Sequence, residues 1–477
     1  MSLAYAPALE SIANIELRER YGLFIGGSWV APEESTYFAC ENPATEMPLA
    51  LVARASTADV DRAVRAARRG YDKYWRKLKG PERAKYLFRI ARALGERSRA
   101  IAVRETLGCG MPIRFARDGV AATATAHAFY AAGWADKLSW AVRGHERAHA
   151  LGVVGAMVPA YAAFSAALAF VAPALACGNT MVLVPEGSAP LGALALAQVC
   201  ADIDLPPGVL NVLTGDTKVG AMLVDQSDVD LLALAGTIAS GAGFRHRVAG
   251  RRTRTHLVLD GVSSVIVYDD APLDAAIEAI VAAMTLGCSR TNFAGVRIFA
   301  AESVAAELLT RVTTRIATLR HGDPLDKNTD VGALPSRAHR DALAALTTAA
   351  QAEGATIVAT PWSAPECGYW RPASLVLDLP ASFDPSPADG PGLATFGTFR
   401  TPGEALERAN AVRGALASSV WTSSGSLGLY TAQRLNAGAV WCNTFDRIDA
   451  ASPFGGTGEA GFERSGGLAG LRAFLET

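Results

Sequence analysis

Apolar residues along this chain gather into blocks of two kinds. Residues 153–159 and 180–185 are nearly continuous apolar runs of strand length, and 164–177 between them is Ala-rich and helical in character. Strands buried on both faces read this way in a parallel sheet, so the three blocks predict a β-α-β unit. The alternation recurs at 209–213, 220–224, 229–235, 241–248 and 256–259. That succession predicts a doubly wound parallel sheet. A second α/β set runs from 264 to about 443. Near the front, residues 23–30 alternate like a hairpin around Gly26-Gly27, and 1–20 reads as a helical or loose extension. Ser56-Thr-Ala-Asp-Val-Asp61 opens a helix that continues amphipathically over 60–75. Residues 81–106 carry apolar side chains at helical spacing, among them Leu87, Ile90 and Leu94.

With 477 residues the chain exceeds what one core organises, which predicts two or three domains. Half the residues are hydrophobic, and 45 Gly and 24 Pro fit a compact α/β protein with many tight connections. Lys plus Arg number 45 against 46 acidic residues, so charge gives no reason to expect nucleic acid or an anionic membrane. Seven Cys are scattered without a CxxC pair or metal-ligand spacing, so reduced thiols in a cytoplasmic protein are expected, with no metal. The first residues carry no export signal. Residues 151–185 contain no charged side chain and are long enough to span a membrane, but Pro159, Pro173 and Pro185 interrupt them. Buried sheet is therefore the expectation.

Chemistry is most concentrated in Leu286-Gly-Cys-Ser-Arg-Thr-Asn-Phe-Ala-Gly-Val-Arg-Ile-Phe-Ala300. A helical run over 272–285 precedes it and a strand over 296–300 follows, and polar residues between two such elements are well placed to act. Of these residues only Cys288 is a strong nucleophile once ionised. A free Cys is otherwise commonly a small buried hydrophobe.

Several short stretches, in this order and spacing, give the chain a resemblance to the NAD(P)-dependent aldehyde dehydrogenase superfamily over nearly its full length. They are Glu105-Thr-Leu-Gly-Cys-Gly-Met-Pro112, Tyr130-Ala-Ala-Gly-Trp-Ala-Asp-Lys137, Ala174-Leu-Ala-Cys-Gly-Asn-Thr180 and Leu205-Pro-Pro-Gly-Val-Leu-Asn-Val212. Gly322-Asp-Pro-Leu325, Ala437-Gly-Ala-Val-Trp-Cys-Asn443, Pro453-Phe-Gly-Gly456 and Arg464 complete the set. The resemblance implies two doubly wound parallel-sheet domains and a small oligomerisation hairpin. The boundaries it suggests are an extension at 1–20, a dinucleotide-binding-type domain at 21–133 and 151–259, an oligomerisation segment at 134–150, a catalytic-type domain at 260–460 and a tail at 461–477.

The functional positions are where the chain departs from the family. Counting back from Arg297 puts Asn292 at the place of the nucleophilic Cys, and Arg290 at that of a nearby Gln. The family's general-base Glu precedes Leu-Gly-Gly; here the run is Leu257-Val-Leu-Asp-Gly261, so Val258 holds that place. The oxyanion-donating Asn corresponds to Tyr161, with Ala160 in place of the preceding Trp. A carboxamide cannot form the thiohemiacetal and a valine exchanges no proton, so the usual mechanism has nothing to act with. The ribose-binding Lys becomes Val184, its acidic companion Gly187, and Glu-Ile-Phe-Gly-Pro shrinks to Pro387-Ala-Asp-Gly-Pro391. The glycine turn survives in part as Ala235-Gly-Thr-Ile-Ala-Ser-Gly241, so Gly236, Thr237 and Gly241 are the cofactor candidates. Read as a plain strand-to-helix turn they bind nothing, and no cofactor is expected, with NAD weak if it binds at all.

These departures predict a pseudoenzyme resembling the non-catalytic second module of two-module relatives. It would assemble with an active aldehyde dehydrogenase homologue or with itself. A connection over 134–159 that is short for the family, and an end at Leu475-Glu-Thr477 where a crossing strand would begin, predict an altered interface with an open sheet edge. One alternative is an NAD(P)-dependent oxidoreductase working around Cys288 and Arg290, with Asp260 as a shifted base if it is more than a turn residue. Another is a pocket that binds an anionic metabolite through Arg290. The cluster Arg245, His246, Arg247, Arg251, Arg252, Arg254 reads as a solvated helix end or as a surface for an acidic partner.

Overall fold

The computed structural model of the chain describes residues 6–13, 15–142, 148–285, 295–380, 382–385, 392–412 and 414–476. The uncharged stretch folds as its pattern requires. Strand β1 (Val153–Val158) and strand β2 (Thr180–Pro185) lie parallel and in register, with Val154 opposite Met181 and Met157 opposite Val184. Three more parallel strands follow: β3 (Leu210–Val212), β4 (Leu231–Gly236) and β5 (Arg254–Leu259). In space the order is β5-β4-β1-β2-β3, extended by the hairpin Leu23–Ile25 and Ser28–Val30 on one side and by Gly461–Phe462 on the other. The chain winds outward from β1 through β2 to β3 and then returns to lay β4 on the far side. Strand order therefore reverses between β1 and β4, which opens a crevice at their carboxyl ends.

Four helices position the candidate site: α1 (Ser98–Cys109), α2 (Ala122–Trp134), α3 (Ala163–Ala176) and α4 (Ile238–Val248). Helix α3 carries no charge because it is buried almost all round, with Phe164, Ala167, Phe170, Val171 and Leu175 at 1% exposure or less. Against it sits Trp75, whose indole N–H donates to the Leu175 carbonyl at 3.0 Å. No helix among the described residues is long and apolar enough to cross a membrane. The run over 153–185 is core.

A second sheet has the order Thr356–Ala359, Ser374–Leu377, Thr395–Phe399, Gly295–Ala301, Ser263–Val267, Ala417–Trp421, Ala439–Cys442, parallel except for its first pair. The structure refines three sequence expectations. The helical run expected over 81–106 is two helices, Gly80–Glu96 and α1, broken at Arg97, whose φ of −101° and ψ of 8° leave the helical region. Of the two readings of residues 1–20, helical or loose, the described residues take the loose one: Glu10 donates its backbone N–H to the Leu325 carbonyl and its carboxylate pairs with Arg99 and Lys327. Leu475–Glu476 is a strand already paired antiparallel with His149–Ala150 of the same chain, so the edge expected to stand open there is closed on one side.

Candidate functional site

The crevice between β1 and β4 gathers the ends of adjacent strands, and most of the predicted positions that the structure describes lie there. Tyr161 follows β1, Gly236 ends β4, Thr237 caps α4, and Val258 sits next to last in β5. Cys288, Arg290, Asn292 and the segment 387–391 lie outside the described residues.

Val258 is 8% exposed, opposite Ala235 of β4 on one side and Gly461 on the other. It presents hydrocarbon where the resemblance places a base. Tyr161 is also buried, its ring stacked on Phe115 at 6.2 Å with an interplanar angle of 21°. The next residue, Ala162, takes φ 52° and ψ 30° and opens α3 without a side-chain cap. That left-handed backbone costs an alanine on the order of 1 kcal/mol.

Two carboxyl groups hold this turn. Glu186, just past β2, accepts the Ala160 N–H at 2.9 Å and the Ser188 hydroxyl at 3.2 Å. Glu105 reaches from α1 to the backbone of Phe164 in the first turn of α3, supplying the cap that Ala162 lacks. It is 3% exposed, its second oxygen Oε2 finds no hydrogen-bond partner among the described residues, and burial pushes its pKa up to about 8 against the pull of the Phe164 backbone. Glu105 is therefore largely a neutral acid at pH 7.

At the start of α4, Thr237 accepts the Ser240 N–H through Oγ1 at 3.0 Å. Gly241 packs α4 onto β5 so closely that a Cβ would stand 2.2 Å from Leu259 Cδ1. This close approach explains that glycine without a ligand. The first helical N–H, of Ile238, donates at 2.8 Å to Oδ1 of Asp260. The Asp260 backbone N–H donates in turn to the Gly236 carbonyl at 2.8 Å, which continues the β4–β5 ladder. Burial raises the Asp260 carboxyl to about 7, opposed by the Ile238 N–H.

On β2, Val184 is 5% exposed within the apolar core. At Gly187 a Cβ would lie 2.3 Å from the Gly215 carbonyl oxygen, so no acidic side chain fits there. The carboxylate at this strand end is Glu186, which sequence reasoning passed over. Its signal was visible: it is the first charged residue after the uncharged run, at the carboxyl end of a parallel strand.

Three residues of the basic cluster at the end of α4 and beyond it make internal ties. Arg247 makes a two-pronged pair with Asp225 at 3.2 and 2.9 Å, Arg251 grips the Val224 and Gln226 carbonyls, and Arg254 donates to the Leu475 carbonyl at 3.0 Å. The thiols of Cys40, Cys177 and Cys200 are buried and pushed up to about 12 by that burial, so none is an activated nucleophile.

Comparison with known proteins gives this arrangement a family. A betaine aldehyde dehydrogenase of Rhizobium leguminosarum is 31% identical over 468 residues, 95% of each chain. A chloroplastic aminoaldehyde dehydrogenase of Arabidopsis thaliana is 33% identical over 477 residues, 95% of this chain and 94% of its own. Among solved structures, the NAD+ complex of an aldehyde dehydrogenase from Bacillus cereus superposes with a TM-score of 0.92 at 28% identity, covering 98% of both chains. Betaine aldehyde dehydrogenase from Staphylococcus aureus in complex with NAD+ superposes at 0.91 with 25% identity, over 96% of this chain and 94% of its own.

These NAD+ complexes overturn the expectation, drawn from Val184 and Gly187, that no cofactor is to be expected. The physical reason is that the crevice is made by strand order and by the start of α4, neither of which those two substitutions alters. The expected two-sheet α/β fold stands. With the family's sequence profile matching residues 29–477 and its fold reproduced from end to end, the chain belongs to the aldehyde dehydrogenase family.

Proposed function

We propose that this chain is a non-catalytic aldehyde dehydrogenase subunit. It keeps a nicotinamide-dinucleotide crevice and acts by assembling with an active homologue or with itself. The observation that carries the reading is Val258, a buried hydrocarbon paired into β5 at the base position. The sequence adds Asn292 at the nucleophile position. For the dinucleotide, Glu186 at the end of β2 offers a carboxylate to ribose hydroxyls, and the start of α4 with Thr237 offers N–H groups and the positive helix end to phosphate. A bound nicotinamide supplies a hydride acceptor. The side chains at 258 and 292 supply neither the thiolate nor the base that would release a hydride to it.

The test is direct. The purified protein is offered a panel of aliphatic and aromatic aldehydes with NAD or NADP, and no turnover is expected. Asn292→Cys alone stays inactive, because catalytic groups act as a unit. Light scattering of the protein alone and co-expressed with an aldehyde dehydrogenase of its host reads assembly, where a specific interface buries at least about 1,200 Å². Steady turnover that disappears in Cys288→Ser overturns the non-catalytic reading, and a monomer that ignores every homologue overturns the assembly.

A further inference from the structure

Helix α4 begins at the point where the parallel sheet reverses its strand order, the place where such sheets seat a nucleotide's phosphates. Its first N–H is already engaged. Asp260, delivered from the end of β5, puts Oδ1 2.8 Å from the Ile238 nitrogen, and its own N–H is tied to Gly236 at 2.8 Å. The backbone ladder thus fixes Asp260 in front of the helix, and the carboxylate lies along the axis where the dipole favours negative charge. Glu186 occupies the matching position at the end of β2, on the Ala160 N–H. The crevice therefore contains two anionic groups of its own, one of them at the phosphate seat.

We propose that Asp260 is a resident anion at the start of α4 and sets how tightly the crevice holds a phosphate-bearing nucleotide. This rests on the dinucleotide reading above. A pyrophosphate arriving at α4 competes with the Asp260 carboxylate for the Ile238 N–H and meets its charge at close range. A ligand part that carries no phosphate meets neither obstacle. Asp260 is half-buried, with its carboxylate held on the Ile238 N–H. Burial has raised its pKa to about 7, so neutralising it costs little.

Calorimetry above the Asp260 pKa of about 7, where the carboxylate is ionised, tests the idea with wild type, Asp260→Asn and Asp260→Gly, each titrated with NAD and separately with adenosine. Asn keeps an oxygen for the Ile238 N–H and removes only the charge; Gly removes both, and the thermal midpoint of each variant verifies that it is folded. Both variants are expected to bind NAD about tenfold more tightly than wild type, with adenosine affinity unchanged, since like-charge juxtaposition is costly at short range. NAD binding to wild type that neither variant improves overturns the role of Asp260 and leaves the dinucleotide reading in place. Equal gains for NAD and adenosine also overturn it, because the crevice would then merely have been widened. No NAD binding by any of the three at millimolar concentration overturns both readings.

Discussion

Replacing Glu105 by Gln should stabilise this protein increasingly as pH rises. The carboxyl is buried, offers one oxygen to the Phe164 backbone and leaves the other without a partner, so burial lifts its pKa from 4.5 to about 8. A folded-state pKa raised above its unfolded value means that the folded chain retains a proton which the unfolded chain releases. Stability from this group is thus fully present below pH 4.5 and is lost as pH climbs towards 8. At pH 7 the span from 4.5 is 2.5 units, which at about 1.4 kcal/mol per unit makes the loss about 3 kcal/mol. Gln has nearly the same shape and no proton to lose. Its amide adds a pH-independent offset of about 1–3 kcal/mol for an unpaired buried group, so the slope rather than the absolute value is diagnostic. Urea unfolding of wild type and Glu105→Gln at pH 5, 6, 7 and 8 should show their difference growing by about 1.4 kcal/mol per unit. A difference that stays flat across this range would show Glu105 titrating alike in both states and refute the reasoning.

Three further outcomes follow from the same geometry. Ala162→Gly should raise stability by up to about 1 kcal/mol in the same urea assay, since the left-handed φ of 52° strains alanine and glycine's larger unfolded entropy offsets only part of the relief. His256 is fully buried between Phe170 and Phe474, its Nε2 3.3 Å from Ser465 Oγ, and burial, then Arg464, lowers it to about 4. Its stabilising neutral form is present above the unfolded value of 6.5 and is lost as pH falls towards 4, so hydrogen exchange at 471–476 should accelerate over that window in wild type and much less in His256→Phe. With a thiol reagent on the folded protein, mapped by peptide mass, Cys367 and Cys442 should label while Cys40, Cys177 and Cys200 label only after unfolding.

The scaffold was legible because its strongest signals are apolar and long. The uncharged run over 153–185 has few ways to fold other than as buried strand, helix and strand, and the structure differs from that reading by no more than one residue at any element's end. The carboxyl groups that shape the site were not legible. Glu105 sits inside a helical motif where an acid ordinarily faces water, and only packing against α3 and Gly192 reveals that it is enclosed. Glu186 is masked in the sequence because the family spacing falls on its neighbour Gly187, where the Gly215 carbonyl leaves no room for a side chain. Asp260 carries a turn residue's signature in one dimension and a helix-capping role in three. The break at Arg97 is hidden in the sequence because Leu94 and Ile101, on either side of it, are still at helical spacing.

The antiparallel pairing of Gly461–Phe462 with Leu257 and Val258 has a consequence for how the molecule is made. A strand synthesised early waits for a partner some two hundred residues downstream, and residues 471–475 then fasten beside it through the Cys177, Asn179 and Arg254 side chains. At ribosomal rates of about 5–20 residues per second, the β5 edge stays unpaired for roughly ten seconds or more on the nascent chain. Closing such a distant pair is a slow, high-contact-order step, and until it happens the edge is a template for any other strand in the vicinity. Chaperone dependence should accordingly be concentrated in the interval between synthesis of β5 and emergence of the last residues.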